Sequence, residues 1–176
     1  MNRIWLFALT LLFVQSAHVA ASDLSVVAGR ASYSDLEDPG GDTKFKESSL
    51  FGARYEKDFL FIVGFENSLL VSGNTLSPDG TSGEKGLYYT GNLVLNFPVD
   101  RVVPNLAVGV GVLHRFGETY PNIGTAFLSN WGFGVKFRNL AGPAGFRVDY
   151  RRIGIHGVEN QTVTEQEFSG GLILTF

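Results

Sequence analysis

The chain has 176 residues, with 14 Lys and Arg against 17 Asp and Glu, and a formal charge of −3. That balance excludes the basic footprint of a nucleic-acid binder. The absence of cysteine excludes disulfide staples, thiolate metal sites and a Cys nucleophile, and the length fits one domain.

Residues 1–21 read as a secretory signal peptide. Arg3 is followed by an apolar run from Ile4 to Val14, and the segment closes on His18-Val19-Ala20-Ala21. A basic start, a short apolar core and small residues before a cut have that meaning, and the run is too short to cross a bilayer as a helix. Cleavage after Ala21 is expected, leaving residues 22–176 as the single mature domain.

Beyond Ala21, period-two alternation replaces helical periodicity, and the 22 Gly and 15 Phe suit strands and turns. Eight strands are predicted. The first covers Ser22–Ser34, with Val27, Ala31 and Tyr33 against Val26, Ala28 and Arg30. The second covers Ser48–Glu56, with Phe51, Ala53 and Tyr55 against Gly52 and Arg54. The third covers Phe59–Ser72, with Phe59, Phe61, Val63, Phe65, Leu69 and Val71 against Gly64, Glu66, Ser68 and Ser72, a face that also carries Leu60, Ile62 and Leu70. The fourth, Gly86–Phe97, sets Leu87, Tyr89, Leu93, Leu95 and Phe97 against Tyr88, Thr90, Asn92 and Asn96. The fifth, Asn105–Arg115, sets Leu106, Val108, Val110 and Val112 against Ala107, Gly109 and Gly111. The sixth, Ala126–Arg138, sets Phe127, Trp131, Phe133, Val135 and Phe137 against Asn130, Gly132, Gly134 and Lys136. The seventh, Gly145–Ile153, sets Phe146, Val148 and Tyr150 against Arg147, Asp149 and Arg151. The eighth, Thr164–Phe176, sets Phe168, Leu172, Leu174 and Phe176 against Ser169, Gly171 and Thr175.

The connections alternate long and short: DLEDPGGDTKFKE, then Lys57-Asp58, then GNTLSPDGTSGEK, PVDRVVP, FGETYPNIGT, NLAGP and GIHGVENQTVT. Long loops at one end and short turns at the other, on an even number of antiparallel strands, describe an outer-membrane barrel. The less apolar face carries Gly, Ser, Asn and Thr with few charges, as a narrow lumen requires and the outer face of a soluble barrel does not. Aromatics gather near strand ends. Tyr55, Phe59, Phe97, Phe137, Phe146 and Phe176 form a predicted belt at the short-turn end, and Tyr33, Tyr89, Phe127, Tyr150 and Phe168 lie nearer the long loops. Two such rings suit the two interfaces of a bilayer. The fold class is therefore all-β, an eight-stranded antiparallel up-and-down transmembrane β-barrel.

The sequence at this point resembles the small bacterial outer-membrane β-barrel proteins of the OmpA/OmpX-like type. The resemblance rests on the signal peptide, the eight-strand pattern, the closing segment EFSGGLILTF, and NWGFGVKF followed by GFRVDYR, which look like that family's sixth and seventh strands. It covers the mature chain. It implies an integral protein of the bacterial outer membrane with periplasmic termini, in contact with outer-membrane lipid and lipopolysaccharide. It also implies that the row Phe168, Leu172, Leu174 and Phe176 is similar to the signal read by the barrel-assembly machinery. Members of the family include anchors, adhesins, small-solute or hydrophobic-solute channels and a few lipid A-modifying enzymes.

The candidate lumen residues are Arg30, Arg54, Glu66, Asn92, Lys136, Arg147, Asp149 and Arg151. Buried charges must be paired or solvated, so Glu66 and Asp149 are expected to accept hydrogen bonds from neighbouring arginines. An eight-stranded barrel is just wide enough for its own side chains to fill, which favours a polar plug over a conduit. The expected role is structural or surface interaction; a narrow channel is the alternative. A lipid A-modifying enzyme is a further alternative, but no ordered Ser–His–acid set is visible around His114 or His156, although Glu159 follows the latter by three positions. No cofactor or metal is expected. The two histidines lack zinc-site spacing, and Asp35, Glu37, Asp38 and Asp42 lack that of a calcium loop. Gly109 and Gly111 lie within a strand and read as relief of lumen crowding, not as a nucleotide motif.

Overall fold

The computed structural model describes residues 21–34, 47–60, 62–73, 85–116, 124–158 and 161–176. The expected signal peptide, except Ala21, and the acidic cluster from Asp35 to Asp42 lie outside them, as does Glu159. The elements are β1 (Ser22–Tyr33), β2 (Ser48–Leu60), β3 (Val63–Gly73), β4 (Lys85–Asn96), β5 (Val102–Phe116), β6 (Thr125–Ala141), β7 (Ala144–Val158) and β8 (Gln161–Thr175). Each strand pairs with the next, and β8 returns to β1, so the sheet is a closed antiparallel barrel. The seam runs from Asp23↔Thr175 to Tyr33↔Glu165. Beside it Ser22 and Phe176 exchange both backbone hydrogen bonds at 2.9 Å. Closure removes the edge strands whose bare N–H and C=O groups hydrocarbon cannot satisfy.

The two faces invert the pattern of a water-soluble protein. Arg54, Glu66, Lys136, Arg147 and Asp149 are buried inside, while Phe51, Phe133, Phe168 and Leu172 stand outward, Leu172 with 74% of its surface exposed. A continuous apolar exterior around a charged interior is stable only where the surroundings are themselves apolar. The tight connections use residues suited to left-handed backbone, Asp100 (φ 57°) and Gly142 (φ 62°), and Asn139 (φ 55°) takes the same conformation near the end of β6.

Four details differ from the sequence expectation. The first is the facing of β1, which is reversed. Val27 and Ala31 point inward at 2% and 0% exposure, whereas Val26 and Arg30 point outward. With a period of two, the inward demand of Asp23 and Ser25, both fully buried, fixes every other residue of the strand. Tyr33 is consequently not in the outer ring: it packs on the interior cluster, its hydroxyl 3.3 Å from that of Tyr88.

Second, β2 does not turn at Lys57-Asp58. It continues through Lys57↔Phe65 and Asp58↔Gly64 to Leu60, so Phe59 belongs to β2 and β3 begins at Val63. The Asp58 carboxylate faces inward, where it accepts from Asn96 Nδ2 at 2.9 Å and Arg138 Nη2 at 3.1 Å. Third, β7 and β8 extend through most of the expected long loop, pairing through Ile155↔Val163 and His156↔Thr162 and, past a register shift, to Val158↔Gln161. Ile155 and Val163 are fully buried, so apolar packing carries this hairpin upward. Fourth, β6 reaches Ala141 through a register shift between Phe137 and Ala141.

Candidate functional site

Three tiers fill the lumen. Nearest the short turns, Lys136 of β6 donates to Glu56 Oε1 at 2.6 Å and to Asn96 Oδ1 at 3.1 Å. Beside it Arg138 holds Asp23 through Nε (2.9 Å) and Nη2 (2.6 Å), and Thr175 donates to the same carboxylate at 2.8 Å. Asn96 links Glu56 to Asp58. These groups come from β1, β2, β4, β6 and β8, so the tier ties together strands that are not neighbours in the sheet.

The middle tier is centred on three arginines. Arg147 grips Asp149 through Nε (2.6 Å) and Nη2 (2.8 Å) and reaches Glu66 Oε2 at 2.9 Å. Arg151 donates to Glu66 Oε1 at 2.6 Å, and Asn92 donates to the same oxygen at 3.2 Å. Arg54 crosses to Asp149 at 3.0 Å and also binds Glu167. Forked guanidinium contacts of this kind are the strong form of the charge-assisted hydrogen bond.

The upper tier, toward the long connections, is apolar. Val27, Ala31, Leu50, Leu70, Leu113, Leu128, Ile153, Ile155 and Val163 close around Tyr88. Its hydroxyl donates to Glu165 Oε2 at 2.8 Å, while Glu165 Oε1 makes no hydrogen bond. Between the middle and upper tiers is a cavity of about 10 Å³, lined by Arg54, Tyr88, Asn130, Arg151 and Glu167 among others. That is room for one water.

Of the residues singled out by sequence, Arg54, Glu66, Asn92, Lys136, Arg147, Asp149 and Arg151 are all within these tiers. Arg30 is not. It lies on the outer face, 3.4 Å from Glu47, both side chains largely exposed. Sequence reading missed Asp23, Glu56, Asp58, Arg138, Glu165 and Glu167. Parity was the available signal for Glu56, which shares the face of Arg54, and for Glu165 and Glu167, which share the face of Ser169.

The exterior places the other candidates. Tyr55, Phe59, Phe97, Phe146, Phe168, Leu172, Leu174 and Phe176 all stand outward and exposed, and Phe137 stacks on Phe146 with ring centroids 4.3 Å apart. Both histidines of the described residues also face outward. His114 Nδ1 is 3.2 Å from Thr125 Oγ1. His156 Nε2 is 2.8 Å from Ser129 Oγ, and its Nδ1 is 3.1 Å from Thr162 Oγ1. The ring of His156 thus lies between two hydroxyls, and the group that would orient a catalytic imidazole here is Thr162, not a carboxylate.

A family model for the outer membrane protein beta-barrel domain matches residues 6–176. The chain belongs to the outer membrane protein beta-barrel domain family. This outer-membrane barrel is similar in fold to Neisserial surface protein A, with a TM-score of 0.69 and 15% identity over 90% of this chain and 100% of that one. It is similar to the N-terminal β-barrel domain of OprF from Pseudomonas aeruginosa (TM-score 0.56, 13% identity, 89% and 98% covered). The outer membrane enzyme PagL has a TM-score of 0.51 at 16% identity, with 86% and 98% covered. At these identities the likeness is one of fold. Comparison with curated proteins by sequence finds no match. The outer-membrane barrel is thus an integral protein of the bacterial outer membrane, and its charged interior is the lumen of a transmembrane barrel.

Proposed function

We propose that this barrel is a surface-exposed structural or interaction protein whose lumen is closed by a polar plug, with the long connections outside the cell and the short turns in the periplasm. The observation that carries the reading is the middle tier. Arg54, Arg147 and Arg151 are matched to Glu66, Asp149 and Glu167 at full burial, and the cavity above them holds about 10 Å³. Removing one member of such a set strands a buried charge, so the plug resists opening. Under the same reading, residues 1–21 are a cleaved leader, and the outward row Phe168, Leu172, Leu174 and Phe176 is what the barrel-assembly machinery recognises. Among the described residues the candidate nucleophile and base, Ser129 and His156, are oriented by the Thr162 hydroxyl and not by a carboxylate.

Planar-bilayer recording on the refolded protein tests the plug. The expected result is a silent membrane; stable conducting steps would overturn it in favour of a narrow channel.

A further inference from the structure

Arg30 is the residue whose placement most changes the picture of the exterior. It stands outward on β1, opposite Phe168 of β8. Arg152 stands outward on β7, opposite Gln166 of the same β8. The two arginines therefore flank one strand from either side, staggered by two residues, with their backbones about 12 Å apart at the usual strand spacing and rise. Between them, the Tyr150 hydroxyl donates to Gln166 Oε1 at 3.3 Å. A groove of about 360 Å³ opens here, with Arg30, Ser32, Glu47, Tyr150, Gln166 and Phe168 in its walls. Trp131, directly across from Arg152 on β6, continues the apolar flank.

A guanidinium directed at hydrocarbon is costly at mid-bilayer and nearly free at the headgroup level. Two of them on one sector set that sector at the headgroups. Neither is committed elsewhere. Arg152 has no hydrogen bond or ion pair among the described residues, and Arg30 has only the exposed 3.4 Å contact with Glu47, of a kind that contributes little. Planar guanidinium forks match phosphate oxygens, the Ser32 hydroxyl and Gln166 amide suit sugar hydroxyls, and Phe168 and Trp131 suit acyl chains.

We propose that this groove binds the phosphorylated glycolipid headgroup of the outer leaflet, that of lipopolysaccharide, with Arg30 in its wall taking one phosphate and Arg152, which stands beyond the lining next to Gln166, taking the other. The proposal rests on the orientation given above, in which the long connections face outward. Glu47 is the electrostatic brake of the site, because it competes with the ligand for Arg30.

The experiment uses the full refolded barrel in zwitterionic nanodiscs, titrated with bisphosphoryl lipid A, with Trp131 emission and native mass spectrometry as readouts. The expected result is saturable binding that falls at least tenfold in Arg30→Ser and in Arg152→Ser, and further in the double variant. Glu47→Gln binds several-fold more tightly. Each variant's heat-modifiable gel mobility shows that it is folded. Unchanged binding in the folded double variant overturns the site, and equal binding of phosphatidylglycerol through the same arginines overturns the glycolipid assignment. Orientation is read independently from Glu47→Cys in intact cells with a membrane-impermeant maleimide. Labelling without lipid A binding overturns the groove alone. Binding in nanodiscs without labelling in cells overturns the orientation.

Discussion

Arg54 and Asp149 lie 3.0 Å apart although their strands, β2 and β7, are separated by β1 and β8 in the sheet. The contact passes straight across the lumen. Arg54 is fully buried and also binds Glu167, so its truncation leaves two carboxylates short of a partner. Arg54→Met is expected to destabilise the barrel by about 3–5 kcal/mol. Adding Glu167→Leu to the same chain should recover much of that loss. Urea-driven unfolding in lipid vesicles measures both. A single variant as stable as the parent would show that the cross-lumen pair is not sensed in the membrane.

Tyr88 tests the upper tier. Its hydroxyl is the donor to Glu165, with the Tyr33 hydroxyl 3.3 Å away and the apolar cluster around the ring. Tyr88→Phe removes that donor while keeping the ring, at an expected cost of about 1–3 kcal/mol. In the Tyr88→Phe, Glu165→Leu double variant neither polar group remains, and stability should return close to the parent value. The same vesicle unfolding assay reports the cycle.

Gly109 tests lumen crowding. A Cβ there would run into the Asn92 side chain and the Gly91 carbonyl, whereas one at Gly73 would meet nothing within 4 Å. Gly109→Val is therefore expected to lose about 1–3 kcal/mol or to fold poorly, and Gly73→Ala to stay within about 0.5 kcal/mol of the parent. Equal tolerance at both sites would contradict the packing of β4 against β5.

The facing of β1 can be read by labelling. A cysteine at position 30 stands outward and one at position 31 stands in the lumen. A water-soluble maleimide should modify Arg30→Cys in the folded protein and spare Ala31→Cys until it is denatured. The opposite pattern would restore the reversed face.

The Ser129–His156 contact gives the check on chemistry. Incubation with lipid A should release no fatty acid, with the parent and Ser129→Ala giving the same blank trace. Ester cleavage lost in Ser129→Ala would make the pair a working nucleophile and base, with Thr162 in the orienting position.

Much of this architecture was legible from alternation alone. On β3 to β8 most of the large apolar side chains share the outward parity, so one assignment of faces places Glu66, Asn92, Lys136, Arg147, Asp149 and Arg151 inside together, along with the inward exceptions Leu70, Tyr88, Leu113, Leu128, Ile153, Ile155 and Val163. β1 was illegible because Val26, Val27 and Ala28 are small apolar residues on both faces, and Arg30 resembles a lumen charge until Asp23 and Ser25 are weighed. Glu56 and Asp58 were lost because Lys57-Asp58 has turn-like composition, and strand pairing overrides local composition. Glu165 escaped because a carboxyl among Ile153, Ile155 and Val163 contradicts the apolar pattern around it. Only the third dimension supplies its tyrosine. The charges near the groove were visible as residues, but their approach across β8 depends on seam register, which no local pattern encodes.

The side-chain period of two gives the cross-lumen ion pairs a consequence for assembly. A slip of one residue in any strand turns its lumen charges toward lipid and its aromatics inward. Arg54 finds Glu167, 113 positions later in the chain, only when β1 and β8 have met in register. Until the ring closes, these charges keep their water; when it closes wrongly, they cannot give it up. The interior thus acts as a register check, distinguishing the correctly sealed barrel from its near neighbours by whether every buried cation meets its anion.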